Sequence, residues 1–541
     1  MRVGWSGVAA LLGVMSGLMS GCGSGGTNGG APSGGAAGGG AAATGGSAGT
    51  SFGGLGGAAA AAGSSGTAGS SGVGASAGSG GSSVGGAGGS SASCTSGTQP
   101  CFSGDPQLID VGLCTAGLQS CDSGAWGACT GEVLPDIEDC ALPTDENCDG
   151  KQCEVWRTEG LQARFLAATP GDDVVFGGTF SGSVQIGSNA LQAHGFSDAW
   201  IGSFELNGAP KWVYQTTGAD TEDVYGLAVG SSGEVSATID HFMAVDFGDG
   251  VKPPGNSLVH LGSNGAFRWS FGFGTARLSW VAVDASGATY AAGYFDEAVT
   301  LGGQTLTPQA TDALVLKLDA TGKLVWLKQF GGSGDDYFEG VALAPNGDLV
   351  LLGGETGGVD FGGGSSISYG NLDNVVVALT PDGDYRQSLV FGSASDDYAV
   401  DLASDAQGRF AVSFLLPADI QFGSETLQVP SPGDGQIGVA RLSLDGSGFS
   451  VDWTSLVPFF SKSIAVDPSG NVVVAGGKSD VARVAKLGAQ GQSLWEFAPD
   501  GLEFVEGVTC ASTGEVLFGA KYTLSTSSTS VEAFSIGKLG K

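Results

Sequence analysis

The sequence predicts an all-β fold, a ring of repeated four-stranded sheets behind an export leader, a tether and a disulfide-rich collar. Three observations predict it. Trp156, Trp212, Trp269 and Trp326 recur 56, 57 and 57 residues apart. Short alternating apolar runs fall between Gly, Asn and Asp turns from residue 154 onward, and no stretch sustains a helical period. A repeat of this length, with about four strands per unit, is the signature of a β-propeller.

Composition bounds the function before any motif is read. The chain has 541 residues, 100 of them glycine, and 21 Lys plus Arg stand against 54 Asp plus Glu, for a formal net charge of −33. Such a surface repels phosphate backbones and anionic headgroups, which excludes a nucleic-acid partner and a basic membrane-binding patch. With 41% hydrophobic residues, 10 Trp and 27 Phe, the chain still has material for a core.

Residues 1–21 read as a leader. Arg2 is the sole charged residue before Cys94, and the apolar run 8–19 is shorter than the roughly 20 residues that span a bilayer. The run ends Leu18-Met19-Ser20-Gly21-Cys22. It resembles a bacterial lipobox, with Met19 where Leu is usual. That resemblance implies cleavage before Cys22, acylation of Cys22 (diacylglycerol and palmitate-type chains), and membrane attachment through the lipid anchor only. The residue after the cysteine is Gly23 rather than the Asp that often marks inner-membrane retention, so the expected location is the outer membrane or cell surface. The alternative is an ordinary signal peptide cleaved nearby.

Residues 22–93 form the expected tether. From 23 to 93 the chain is almost all Gly, Ala, Ser and Thr, without a charge, and Phe52 is its one aromatic residue. No core forms from that composition, so the segment is expected to be disordered, with a mean reach of roughly 45 Å.

Residues 94–153 hold eight of the ten cysteines: Cys94, Cys101, Cys114, Cys121, Cys129, Cys140, Cys148 and Cys153. An even cluster in an exported chain predicts four disulfides, whose connectivity is one of about 105. Zinc is disfavoured because the segment has no His and no C-x₂-C pair. The Gly, Cys and Trp positions from Gly112 to Pro135 resemble a Cys-rich module of myxobacterial surface proteins, which implies an extracytoplasmic setting and no chemistry. Asp145-Glu146-Asn147-Cys148-Asp149-Gly150 fits the start of a Ca²⁺ loop, making Asp145, Asn147 and Asp149 candidate ligands. Position twelve is Trp156, not the bidentate Glu such a loop needs, so an acidic turn is the competing reading. No other cofactor is expected.

Residues 154–541 carry the repeat. Its clearest copy runs Asp312 to Leu318, Trp326, Phe330-Gly331-Gly332, Asp336 and Asn346-Gly347-Asp348. It resembles the bacterial seven-bladed propeller repeat family. Seven inner strands are expected, at 166–169, 227–230, 281–284, 341–344, 402–405, 464–467 and 508–511, giving about 55 residues per blade; the count is bounded only to six to eight. The run 531–539 is a third strand with no Trp strand after it, and 155–157 is a Trp strand with no third strand before it. Joined, they close the ring and hide two edges.

Chemistry is sparse. His194, His241 and His260 fall in different units and share no motif, so each is expected to be structural. Cys510 is expected to be a buried free thiol. Asp223, Asp336 and Asp397, two of them preceded by Asp335 and Asp396, sit just before inner strands. They either hold a cation or ligand on one face or accept backbone N–H bonds in their own turns; the second reading is preferred. The sequence therefore points to a monomeric, non-enzymatic binding or scaffold module with a protein or glycan ligand. The alternative is an extracellular propeller hydrolase or lyase acting on polysaccharide or peptide.

Overall fold

The computed structural model of the chain describes residues 94–136, 139, 142, 144–148, 154–159, 162–422, 425–429, 436–446, 448–525 and 530–540. Cys22 and the expected tether lie outside the described residues.

The collar is a small three-stranded sheet, Thr98–Cys101, Gly117–Asp122 and Ala125–Trp126. Its buried cluster is only Phe102, Cys114 and Cys148, with Leu108, Ile109 and Val111 against it. Three disulfides compensate for so small a core: Cys94–Cys121, Cys101–Cys129 and Cys114–Cys148, at sequence separations of 27, 28 and 34. Closing loops of that length removes about 3.5 kcal/mol each of unfolded-state entropy. Cys140 and Cys153 lie outside the described residues.

The rest is a β-propeller. Seven antiparallel sheets follow one another among the described residues, six of them four-stranded and the fourth extended to six strands by the hairpin Ile420–Phe422 with Glu425–Leu427. Their first strands are Phe165–Ala168, Glu222–Val229, Arg277–Val283, Tyr337–Leu343, Ala399–Ser404, Phe460–Val466 and Phe504–Cys510. Each packs beside the next, and the seventh packs beside the first, so the ring closes around a channel. All seven expected inner strands are these strands, beginning one to five residues earlier than the apolar runs suggest. The second and third strands are covered on both faces by neighbouring sheets. This is why Leu349–Thr356 and Leu372–Leu379 read as nearly unbroken apolar runs, buried almost throughout.

The tryptophan period has a packing cause. Trp212 Nε1 donates to Ser263 O at 2.9 Å, Trp269 Nε1 to Ala320 O at 3.0 Å, Trp326 Nε1 to Pro381 O at 3.1 Å and Trp453 Nε1 to Ala489 O at 2.9 Å. Each acceptor lies in the turn between the third and fourth strands of the following sheet. A glycine in that turn makes room for the ring: a Cβ on Gly265 would stand 2.5 Å from Trp212, and one on Gly322 2.7 Å from Trp269. Both glycines also have positive φ, 75° and 83°. The fourth sheet has no Trp, and there Gln387 reaches Gly448 of the fifth instead. The tryptophans are therefore staples between sheets.

The two chain ends complete one sheet. Ser530–Leu539 pairs with Val516–Ser525 on one side and with Glu154–Glu159 on the other, with Lys538 opposite Trp156. Arg157 Nη1 donates to Asp500 O at 2.7 Å. This is the closure expected from the unpaired runs at the two ends.

Candidate binding face at the mouth of the central channel

The residues singled out in the sequence do not gather into one site. Asp145 and Asn147 are half-buried in the collar, where Asp145 O accepts Leu113 N at 2.9 Å; Asp149 lies outside the described residues. Among the described residues no group of three or more His, Cys, Asp or Glu side chains converges as a metal would require. His194 Nδ1 meets Asp198 Oδ2 at 2.9 Å. His241 is bonded to Met243 O and Ser257 Oγ, both at 2.9 Å. His260 stacks on Trp269 with ring centres 4.7 Å apart and meets Ser236 Oγ at 2.9 Å. Burial pulls the pKa of both His241 and His260 down. Cys510 is free, and burial pushes its thiol up to about 12.

Two of the three repeat aspartates accept backbone bonds. Asp336 takes Gly332 N at 3.0 Å and Thr356 N at 2.8 Å. Asp397 takes Ser393 N at 2.6 Å and Ser393 Oγ at 3.1 Å. The third member of this set is Glu222, not Asp223. Asp336 N donates to Thr311 O and Asp397 N to Leu372 O, and the matching bond is Glu222 N to Ser197 O. Adjacent acids at 222 and 223 hid the offset in the sequence. The carbonyls that accept these bonds immediately precede Asp198, Asp312 and Asp373. Each junction therefore places two buried carboxylates together: Asp198 with Glu222, Asp312 with Asp336, Asp373 with Asp397. Glu222 Oε1, Asp312 Oδ1 and Asp373 Oδ1 have no hydrogen-bond partner among the described residues. Burial, the largest cause, pushes both Asp336 and Asp397 up to about 6.

Sequence reading missed the feature that shapes the channel. Six of the seven first strands carry a β-bulge near their start. The residue left unpaired is Tyr225, Glu339, Val400, Lys462 or Glu506 in five of them, and in the third sheet the pair Leu278 and Ser279 is skipped. A bulge re-aims a side chain out of the pleat. Here Lys462 and Glu506, the unpaired residues of neighbouring first strands, meet in an ion pair, whereas Val400 packs against the apolar cluster between the fifth and sixth sheets. The second strand yields by carrying glycine. A Cβ on Gly293, Gly353 or Gly476 would stand 1.9, 1.9 or 1.8 Å from the carbonyl oxygen of Arg277, Tyr337 or Phe460.

Around this mouth the charges are arranged in order. Asp223 and Asp240 stand directly opposite each other on adjacent strands. Arg164 Nη1 reaches Asp223 at 3.5 Å, and Arg277 Nη1 reaches Asp240 at 4.0 Å. Tyr294 is the register partner of Arg277. Glu339 has no hydrogen bond or ion pair among the described residues, and its charge is felt by Tyr294 and Tyr398. Part of Glu339 is open to the channel, while the protein packed round it pushes its carboxyl up to about 8.

The connections between second and third strands rise on the same face. They carry the hairpins Ser183–Ile186 with Asn189–Gln192, Val299–Leu301 with Gln304–Leu306, and Ile420–Phe422 with Glu425–Leu427. They also carry exposed apolar side chains: Phe196, Phe242, Met243 and Ile367 are 79%, 66%, 51% and 77% exposed. A depression of about 600 Å³ opens on the opposite face, lined by Glu234, His260, Arg268 and Trp269. Its groups serve the seam between the second and third sheets, since Glu234 accepts Ser232 N and Trp269 donates to Ala320.

No protein-family model matches the chain, and no curated protein matches it. Among solved structures it is similar to hydrazine synthase of Kuenenia stuttgartiensis, at 12% identity over 70% of this chain and 97% of that one, with a TM-score of 0.41. It is also similar to the Dos1 propeller, at 10% identity over 72% and 94% with a TM-score of 0.39, and to the WD40 β-propeller domain of Doa1, at 11% over 71% and 96% with a TM-score of 0.37. Likeness at this level says nothing of activity; the propeller rests on the seven sheets and their closed order.

Proposed function

We propose that this protein is an exported, lipid-anchored propeller that binds a ligand at the channel mouth without altering it chemically. Cys22 is the acylated residue, and the outer membrane or cell surface is the location. The observation that carries binding is the recurrence of the bulge. Six sheets spend backbone regularity at one position, and what they present there differs from sheet to sheet: a phenol, a carboxylate, an ammonium, an alkyl group. A purely structural repeat gives no reason for that variety, whereas a site that recognises one asymmetric ligand does. The test is a glycan and peptide binding screen on the folded chain, repeated with Tyr225→Ala/Glu339→Gln. Ligands that bind the wild type and are lost by the variant support the reading; an unchanged set of ligands overturns it.

A second reading is favoured by one specific observation. A carboxyl held near 8 in a tyrosine-walled cleft, as Glu339 is, suits a general acid. Under that reading the protein is a hydrolase or lyase, and incubation with the ligands found in the screen releases products that Glu339→Gln does not form.

A further inference from the structure

We propose that the channel mouth receives the cationic end of a lysine or arginine side chain from a polypeptide partner whose apolar residues rest on Phe196, Phe242 and Met243. The inference rests on the binding reading above and names the chemistry of its ligand.

The first support is an acid without a partner. Around the channel, Lys462 is paired with Glu506, Arg164 with Asp223 and Arg277 with Asp240. Glu339 alone among these acids has no basic or hydrogen-bonding partner among the described residues, and a cation supplied from outside would displace the proton that burial favours there and complete the pair. The walls suit that cation. Tyr294 and Tyr398, which feel the Glu339 charge, are partly open, and Tyr225 beyond Tyr294 is 39% exposed. Tyrosine faces attract ammonium and guanidinium groups within about 6 Å. A net charge of −33 draws basic partners to the whole surface.

The second support is the apolar patch and its placement. Phe196 N donates to Asp220 O at 2.9 Å, and Phe242 N to Thr221 O at 3.2 Å. Residues from two different sheets are thus hung on one short segment, which sets Phe196 and Phe242 on either side of it. Tyr225 lies four residues further along that same segment, about 13 Å away at strand rise. An extended polypeptide covers that distance in about four residues. Exposed aromatic residues beside a charged pocket suit a peptide or protein better than a free polyamine, which has nothing to place on them.

The experiment uses the full mature chain in detergent and two synthetic probes. One is an eight-residue serine-rich peptide with two phenylalanines and, four positions on, a lysine; the other has glutamine in place of the lysine. Isothermal titration is expected to show at least tenfold tighter binding of the lysine peptide to the wild type. Glu339→Gln is expected to erase that preference, and Phe242→Ser to weaken both peptides. The wild-type preference needs no variant, so it stands even where a substitution impairs folding. Equal binding of the two peptides, no binding of either, or a preference that survives Glu339→Gln overturns the proposal. Its failure is separable from failure of the binding reading. If ligands from the screen lose affinity in Tyr225→Ala/Glu339→Gln while the lysine peptide is ignored, the site stands and its basic ligand does not.

Discussion

Replacing Asp397 by Asn should stabilise the propeller most at pH 8, by about half as much at pH 5, and leave it unchanged only at about pH 3. Asp397 and Asp373 are both fully buried at the junction of the fourth and fifth sheets. Three donors crowd one oxygen of Asp373, namely Ser368 Oγ at 2.6 Å, Tyr369 N at 2.7 Å and Gly370 N at 3.1 Å, while Oδ1 has none among the described residues. Asp373 Oδ1 and Asp397 Oδ2 lie 2.2 and 2.9 Å from the point where a Cβ on Gly392 would stand, so glycine is what lets them approach. Burial first, and the facing Asp373 charge after the bonds from Ser393, hold the Asp397 carboxyl up at about 6 against an ordinary 3.8. A folded-state value raised in this way means that the folded protein binds the proton more tightly than the unfolded chain. Stability therefore grows as pH falls from 8 through 6, and levels off below about 4. Two units correspond to about 3 kcal/mol, and solvent screening brings the expected effect to about 1–2 kcal/mol. Asn keeps an acceptor for Ser393 N and removes the charge, so Asp397→Asn should gain that amount at pH 8 and flatten the dependence. Asp397→Ala also loses the acceptor, which costs about 1–3 kcal/mol at both pH values. Urea unfolding of the three proteins at pH 5 and 8 reads the difference. Equal losses for Asn and Ala at pH 8 would refute the reasoning, because they would show that the charge itself is held by a positive partner.

Other outcomes follow from the same structure. Trp269→Phe should cost about 1 kcal/mol through the lost bond to Ala320, and Trp269→Ala about 3–5 kcal/mol, both read by thermal melts. Three collar bridges are seen among the described residues; thiol titration of the unreduced, denatured mature chain should find Cys510 alone, and titration of two further thiols would reject the four bridges expected from eight cysteines. Cys22→Ala should release the protein from membranes and abolish labelling by an alkyne fatty acid; unchanged fractionation would remove the lipid anchor from the proposal.

The ring was legible because its periodicity has a mechanical cause. Each Trp must reach a turn glycine one sheet further on, so Trp212, Trp269 and Trp326 keep step with Gly265, Gly322 and Gly383. The closing strand was legible because half a sheet stood unpaired at each end. The bulge ring was not, since Tyr225, Glu339, Val400, Lys462 and Glu506 share neither size nor charge. The signal nearest to them is the glycine in the second strand, at Gly293, Gly353 and Gly476. Half of two acid pairs was visible as Asp336 and Asp397 before a strand, while at the first pair the sequence pointed to Asp223 instead of Glu222. The partners were missed although Asp198 and Glu222, Asp312 and Asp336, and Asp373 and Asp397 all stand 24 residues apart. The pairing of collar cysteines depends on which strands meet, and sixty residues of loop give no periodic guide to that.

The most direct test of non-enzymatic binding at the channel mouth is one calorimetric titration, with the ligand recovered afterwards for mass spectrometry. The strongest ligand from the screen is titrated into the wild type and into Tyr225→Ala/Glu339→Gln. Binding at the mouth predicts at least a tenfold loss of affinity in the variant, a cooperative melt in both proteins, and a ligand recovered intact from both. Equal affinity in the two proteins, or a ligand cleaved by the wild type, would contradict it.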